Sequence, residues 1–340
     1  MMSSSSVSDG ILKFATQYSL YTGCITFSLG FIGNVLNILV FTQLKLFRTN
    51  RCAFYITIES ISNLVYQFLS ITLTILTSIY GDDATGRSSM WCKLRYILVQ
   101  ICALTTFYMV CFSAVDQFFS TNHRFNVRQM CTLKLGRYFA FILICFAIIH
   151  SIVLCSSYDI QPTLGCVLSN YVAVQYSTYF FFPILIGLLP IVVASSFSIL
   201  AYHNVRRIVR RQLPIVRRKL DKQITAMVLM RVIAFVCLTL SFNAYRVYAI
   251  NFPTSQSMRM TYAISRLTQA IFISINIINY MISFYLFIIF SSRFRRQVKL
   301  VLVKKCWQRW KYWCCSINNR IEPENNTEPR NSQMESDENI

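Results

Sequence analysis

The sequence predicts an all-α membrane protein, a seven-transmembrane helix bundle followed by an amphipathic cytoplasmic eighth helix. Three observations carry that prediction. The 340 residues are 55% hydrophobic and only 14% charged, whereas soluble domains carry about a quarter charged residues. Seven stretches reach the ~20 apolar residues needed to cross a ~30 Å hydrocarbon core. The 33 Lys and Arg outnumber the 13 Asp and Glu, and they are distributed unevenly among the loops. Together these exclude a soluble globular protein, a disordered chain and a disulfide-stapled secreted module.

The spans fall near residues 16–43, 53–79, 93–119, 136–156, 173–201, 223–250 and 260–290. Several are long enough to require tilt or extension beyond the lipid. Aromatic residues near the span ends, among them Tyr18, Tyr21, Tyr80, Trp91 and Tyr248, fit an interfacial belt or ordinary helix packing. The runs lack the alternation of a transmembrane β-barrel. Of the 33 basic residues, 25 lie on one side, in the loops around Lys45–Arg51, Arg124–Arg137, Arg206–Lys222 and Arg293–Arg330. The positive-inside rule places that side in the cytoplasm and the N-terminus outside. Residues 1–15 form an extracellular segment without a basic n-region, so span one is expected to act as an uncleaved anchor. Residues 16–290 form the bundle and 291–313 the juxtamembrane helix, with Phe294, Val298, Val301, Leu302, Cys306 and Trp310 at helical spacing against the inner leaflet. Residues 314–340 form a polar, disordered cytoplasmic tail, and Cys314 and Cys315 beside the membrane are palmitoylation candidates.

Particular residues then narrow the class. Span one reads Gly33-Asn34-Val35-Leu36-Asn37, span three opens with Trp91-Cys92, and Asp116 follows 24 residues after Cys92. Span five carries Pro190, span six Phe235, and Phe294-Arg295 begins the last helix. With seven spans and short loops, this set resembles the rhodopsin-like family of G-protein-coupled receptors, in its peptide-receptor-like branch, over roughly residues 16–305. The resemblance implies an interhelical polar core at Asn34 and Asn63. It also implies a disulfide at Cys92, for which Cys166 is the best loop partner and Cys155 a competing one. Asp116, Gln117 and Phe118 take the place of the family's acidic-Arg-aromatic motif, with Phe235 and Pro190 coupling it to the ligand pocket.

The departures are informative. Gln117 stands where the family has arginine, so its ionic lock is absent. Asn63 stands where the family has a sodium-binding aspartate, and an amide cannot balance a cation. Thr239 and Ser241 replace the tryptophan and proline of span six, and Ser283-Phe284-Tyr285-Leu286-Phe287 replaces Asn-Pro-x-x-Tyr. Arg231 lies inside span six, where a charge is expensive. Either it snorkels to the cytoplasmic face, or it supplies the missing positive charge by pairing with Asp116.

No catalytic constellation, metal-ligand spacing or cofactor motif is present, so no enzyme, metal or cofactor is expected. The basic runs flank spans and face lipid and a G protein, not nucleic acid. Span three lacks an amine-binding aspartate and span seven a Schiff-base lysine. Arg246, Tyr248, Arg259, Tyr262 and Arg266, with Gln269 below and Gln100 on span three, form a cationic, aromatic mouth that suits a peptide with acidic or carboxylate groups or a small anion. Alternatively, these basic residues pair with Asp82, Asp83 and Asp159 or meet lipid headgroups. A neuropeptide is the leading ligand, with Arg246, Tyr262, Arg266, Gln269 and Gln100 as its expected contacts. The expected function is a plasma-membrane receptor signalling to a heterotrimeric G protein. The alternatives are a non-coupling decoy, supported by Gln117, and a channel or transporter.

Overall fold

The computed structural model describes residues 2–44, 50–80, 88–122, 126, 128, 132–161, 165–208, 215–251 and 259–306. Its helices are α1 (Met2–Gln43), α2 (Arg51–Tyr80), α3 (Ser89–Ser120), α4 (Leu133–Cys155), α5 (Tyr171–Tyr176), α6 (Leu189–Ile208), α7 (Ile215–Asn251), α8 (Arg259–Ile278), α9 (Ile282–Phe290) and α10 (Ser292–Leu300). A hairpin of β1 (Tyr158–Gln161) and β2 (Gly165–Leu168) lies between α4 and α5. Among the described residues, five helical segments are long and apolar enough to cross a membrane, and the bent pair α8 and α9, taken as one span, makes a sixth. The fold is that of an all-α, multi-pass membrane protein. α2, long enough at 30 residues but carrying buried Glu59, Asn63 and Gln67, is not among those six.

α3 is the central helix. It packs on α2, α4, α6 and α7, while α1 packs on α2 and α8. Its buried face, with Leu104, Phe107, Val110 and Ala114, meets Val228, Val232 and Phe235 of α7 in the main core. α4 contrasts with it. Phe141, Phe146, Ile149 and Val153 are exposed along this helix, an apolar surface that lipid covers. Hydroxyl N-caps start α3 and α4, Ser88 accepting from the Trp91 amide and Thr132 from that of Leu135.

Three features differ from the sequence expectation. α1 does not begin near residue 16 but runs back to Met2, so most of the segment expected outside the bundle is helical. Between α5 and α6 the chain continues as a wide π-helical stretch, Ser177–Leu188, containing Pro183. Proline lacks the amide that a regular turn uses, and a wider turn accommodates the loss. Finally, residues 260–290 do not form one helix. α8 and α9 meet at 54° although the stretch contains neither proline nor glycine.

The expected amphipathic helix is present as α10, capped by the Ser291 hydroxyl on the Phe294 amide at 3.1 Å. Phe294 and Val298 turn inward against Phe41, Phe284 and Phe287. Arg295 donates to the carbonyls of Ile288 and Ile289 at 2.8 and 3.1 Å, closing the end of α9. Helical structure continues as wide turns over Val301–Cys306. Residues 307–313 of the expected helix, and Cys314 and Cys315, lie outside the described residues.

Candidate functional site

The disulfide Cys92–Cys166 joins the start of α3 to β2, with a Cα–Cα distance of 5.7 Å. Cys155, the competing partner, is a free buried thiol within 3.5 Å of Gln100 Oε1. The hairpin is thereby tied over α3, where Tyr158 stacks on Tyr96 at 4.1 Å and Lys93 meets Asp159 at 3.7 Å. Burial raises the Tyr158 phenol well above its usual range. Tyr96 and Cys155 add to the rise, and Arg246 and Arg95 oppose it.

Beside this hairpin end opens a cavity of about 690 Å³ between α1, α2, α3 and α8. Tyr262, Arg266 and Gln269, three of the five residues expected at a ligand site, line it together with Arg95. The three share one face of α8, and Arg266 donates Nε to the Tyr262 hydroxyl at 3.0 Å and Nη1 to Gln269 Oε1 at 3.3 Å. The other two expected ligand residues are not in this lining. Gln100 is buried at the Cys155 thiol. Arg246 lies over the Phe182 ring at 3.9 Å, with its Nε buried and without a hydrogen bond.

The cavity floor includes Tyr66, stacked on Tyr280 at 3.8 Å and nearly parallel to it. Tyr280 sits in the break between α8 and α9. The amides of Asn279, Tyr280 and Met281 bond only three residues back, tightening the chain before α9 starts. Side chains from other helices cover the carbonyls of the break. Asn34 donates to the Tyr280 carbonyl at 2.8 Å and Gln67 to the same oxygen at 3.1 Å. Arg231 Nη2 donates to the Asn279 carbonyl at 3.1 Å. A break in a membrane helix survives where protein groups satisfy its backbone in this way. Asn63 extends the network, donating to Asn34 Oδ1 at 3.3 Å and accepting from the Thr106 hydroxyl at 2.9 Å. The inferred polar core at Asn34 and Asn63 is thus present, bonded as amides.

Gly30 makes room for this arrangement. A Cβ there would overlap the Gln67 amide. Gly30→Ala is therefore expected to push Gln67 off the Tyr280 carbonyl and to cost about 1–3 kcal/mol, the penalty of an unsatisfied buried polar group. A thermal melt of the purified protein would read this loss, and Gly30→Ala with Gln67→Ala should recover most of it. Full loss persisting in the double variant would refute the account.

About two turns before Gln67 on α2, the carboxylate of Glu59 accepts from Arg231 at 2.8 Å through Nη2 and 2.9 Å through Nε, and from the Ser283 hydroxyl at 2.9 Å. Arg231 and Glu59 are each only 2% exposed. This overturns both readings of Arg231. It neither snorkels nor pairs with Asp116; its charge is balanced by the buried carboxylate of Glu59. Asn279 completes the cluster by donating to the Thr239 hydroxyl at 3.2 Å. Phe235, fully buried, lies edge-on to Phe107 at 5.2 Å, and Phe107 faces Tyr280 at 5.9 Å. Cys111 reaches the Pro190 carbonyl at 3.4 Å. Of the expected coupling residues, Arg231 and Phe235 thus lie at the break, Phe235 through Phe107, while Pro190 contacts α3 at Cys111.

Toward the basic end, Asp116 pairs with Arg51 of α2 at 3.0 Å. The Cys52 thiol lies 3.4 Å from Asp116 Oδ2 and 3.3 Å from Gln117 Oε1. Gln117 donates Nε2 to the Thr225 hydroxyl of α7. A neutral hydrogen bond therefore joins α3 to α7 where an arginine would carry charge. Phe118 turns to Phe197 of α6 at 5.4 Å. A double-mutant cycle on Asp116→Asn and Arg51→Gln should show coupling of at least about 0.5 kcal/mol in thermal stability. The cycle on Asp116→Asn and Arg231→Gln should be additive. The reverse pattern would restore the discarded pairing.

Sequence reasoning missed Glu59, Gln67, Arg51, Thr225, Asn279 and Ser283. One signal was readable: Glu59, Asn63 and Gln67 recur every four residues, a polar stripe on one face of an otherwise apolar helix. Among the described residues no three His, Cys, Asp or Glu side chains gather as metal ligands would. Comparison with protein-family models and with curated proteins gives no match.

Proposed function

We propose that the chain is a seven-helix receptor of the rhodopsin-like type. It would bind an extracellular ligand at the hairpin end and signal to a heterotrimeric G protein at the basic end. The observation that carries this reading is the continuous contact from the cavity floor at Tyr66, through Tyr280 and the helix break, to the Glu59–Arg231 pair between α2 and α7. A ligand that shifts Tyr66 acts on the break, and the break holds the cation that anchors α7. Two arrangements of such an element, differing in affinity for a ligand at one end and a partner at the other, are what coupling requires.

Orientation follows from two facts that agree. A disulfide forms on the oxidising side of a membrane, and the loops rich in Lys and Arg stay in the cytoplasm. Asp116, Gln117, Phe118 and Arg51 then sit at the cytoplasmic end of a plasma-membrane receptor. A peptide remains the candidate ligand class suggested by the resemblance. The observation favouring the second reading, a non-coupling binding protein, is the Gln117–Thr225 bond, a neutral link between α3 and α7.

G-protein nucleotide exchange in cells displaying the chain tests the two readings. Basal or peptide-stimulated exchange in wild type, at least twofold over a mock control, is the expected result. Silence in wild type with exchange restored by Gln117→Arg would favour the non-coupling protein. Silence in both would refute the receptor reading for the peptides used.

A further inference from the structure

We infer that the cavity between α1, α2, α3 and α8 is a binding site for a small hydroxylated carboxylic acid with an apolar chain. The inference replaces the peptide suggested by the resemblance with another ligand class; it rests on the receptor reading for the ligand's purpose but not for the binding itself.

The acid end is assigned by the way Arg266 is held. Its Nε and Nη1 are used on the oxygens of Tyr262 and Gln269. The groups those residues still present are donors: the Tyr262 phenol proton, the Gln269 amide N–H pair and Arg266 Nη2. Three donors at positions 262, 266 and 269 share one helix face, beside a second guanidinium, Arg95. No carboxylate is found among the described lining residues. A carboxylate matches such an array, since planar guanidinium and charge-assisted hydrogen bonds favour it. An amine would be repelled.

The remaining wall has the opposite hydrogen-bonding character. Thr16, Thr22, Thr26, Thr74 and Ser274 each donate their hydroxyl proton to a carbonyl four residues back in their own helix. Their oxygens keep lone pairs, so this wall accepts hydrogen bonds and would receive ligand hydroxyls. Leu73, Ile273 and Ile277 supply apolar surface between them. From Arg266 to Ile277 along α8 is roughly 16 Å at 1.5 Å per residue, room for a medium-length chain ending on Tyr66. The volume lies within the ~300–1,000 Å³ range of small-molecule sites. A donor array at one end, acceptors along the wall and an apolar floor together select an acid with hydroxyl groups over a peptide, whose backbone would present amide acceptors as well as donors throughout.

The test uses the purified full chain in nanodiscs. The probes are ω-hydroxydecanoic acid, its methyl ester, unsubstituted decanoic acid and ω-hydroxydecylamine, read by thermal shift and by equilibrium binding. The hydroxy acid is expected to bind and stabilise, more tightly than plain decanoic acid, with the ester and the amine far weaker. Arg266→Met should weaken the acid about 10- to 100-fold, the value of a charge-assisted hydrogen bond, a loss of affinity measured relative to the variant's own unliganded melting temperature. Thr22→Val, at the Thr22–Ser274 contact of 3.3 Å, should erase the preference for the hydroxylated acid. Equal binding of acid and ester, unchanged affinity in Arg266→Met, or no binding of the acid at millimolar concentration would overturn the inference. So would tighter binding of C-terminally amidated short peptides than of any acid. These readouts contain no G protein, so acid binding with silent nucleotide exchange would refute the receptor reading and leave the site standing.

Discussion

Glu59→Gln is expected to lower the stability of the folded chain by about 3–5 kcal/mol, the cost of leaving a buried charge without its partner. Arg231 is 2% exposed, and its remaining partners on Asn279 are neutral. They cannot balance its charge in a membrane interior. Arg231→Gln should be comparably damaging, because it strands the Glu59 carboxylate with the Ser283 hydroxyl as its remaining contact. The double variant Glu59→Gln with Arg231→Gln should be markedly better than the sum of the singles. Two amides of similar shape restore neutrality and can still bond each other, and breaking a buried pair costs more than replacing it. Surface expression and thermal melting read all three. Additive losses would show that the two groups do not act as a unit. If the double variant folds, α7 has lost its ionic anchor to α2, and in the receptor reading basal exchange should rise.

Loss of the disulfide is the second large effect. Cys92→Ser, Cys166→Ser and the double variant should each lose the same amount, because each removes the same bond. The separation of 74 residues gives about 4 kcal/mol on the chain-entropy account. The hairpin would then be released from the start of α3, loosening the Tyr96–Tyr158 stack that stands at the cavity edge. Non-reducing electrophoresis with surface labelling measures bond and folded yield together. Cys155→Ser should leave both nearly unchanged, since Cys155 is a free thiol beside Gln100. A further loss on adding Cys155→Ser to Cys166→Ser would mean that Cys155 substitutes as the partner of Cys92.

Several features were legible before any coordinates. Apolar run length located the helical stretches, since a span must satisfy its backbone internally and hide little charge. Cys166 was the best loop partner for Cys92, and the spacing of Phe294, Val298 and Val301 announced the amphipathic face of α10. Tyr262, Arg266 and Gln269 were readable as one helix face. The identity of the partner of Arg231 was not. Asp116 and Glu59 are both acids in apolar stretches, and which one a guanidinium reaches depends on helix rotation and depth, quantities absent from a linear pattern. Glu59 comes within 2.8 Å of Arg231, while Asp116 is held by Arg51.

The break between α8 and α9 makes the same point at the level of the backbone. Nothing in residues 260–290 interrupts a helix locally, because neither proline nor glycine occurs there. The turn exists because Asn34, Gln67 and Arg231, from three other helices, present donors to carbonyls that would otherwise be unsatisfied. The sequence by itself determined the hydrophobic stretches and the distribution of charge, both consequences of transfer free energy and local periodicity; the disulfide at Cys92 was implied by the resemblance, and the structure chose Cys166 over Cys155. Only the tertiary structure decided which buried polar groups meet, because each such bond depends on two helices arriving at one depth and one rotation together.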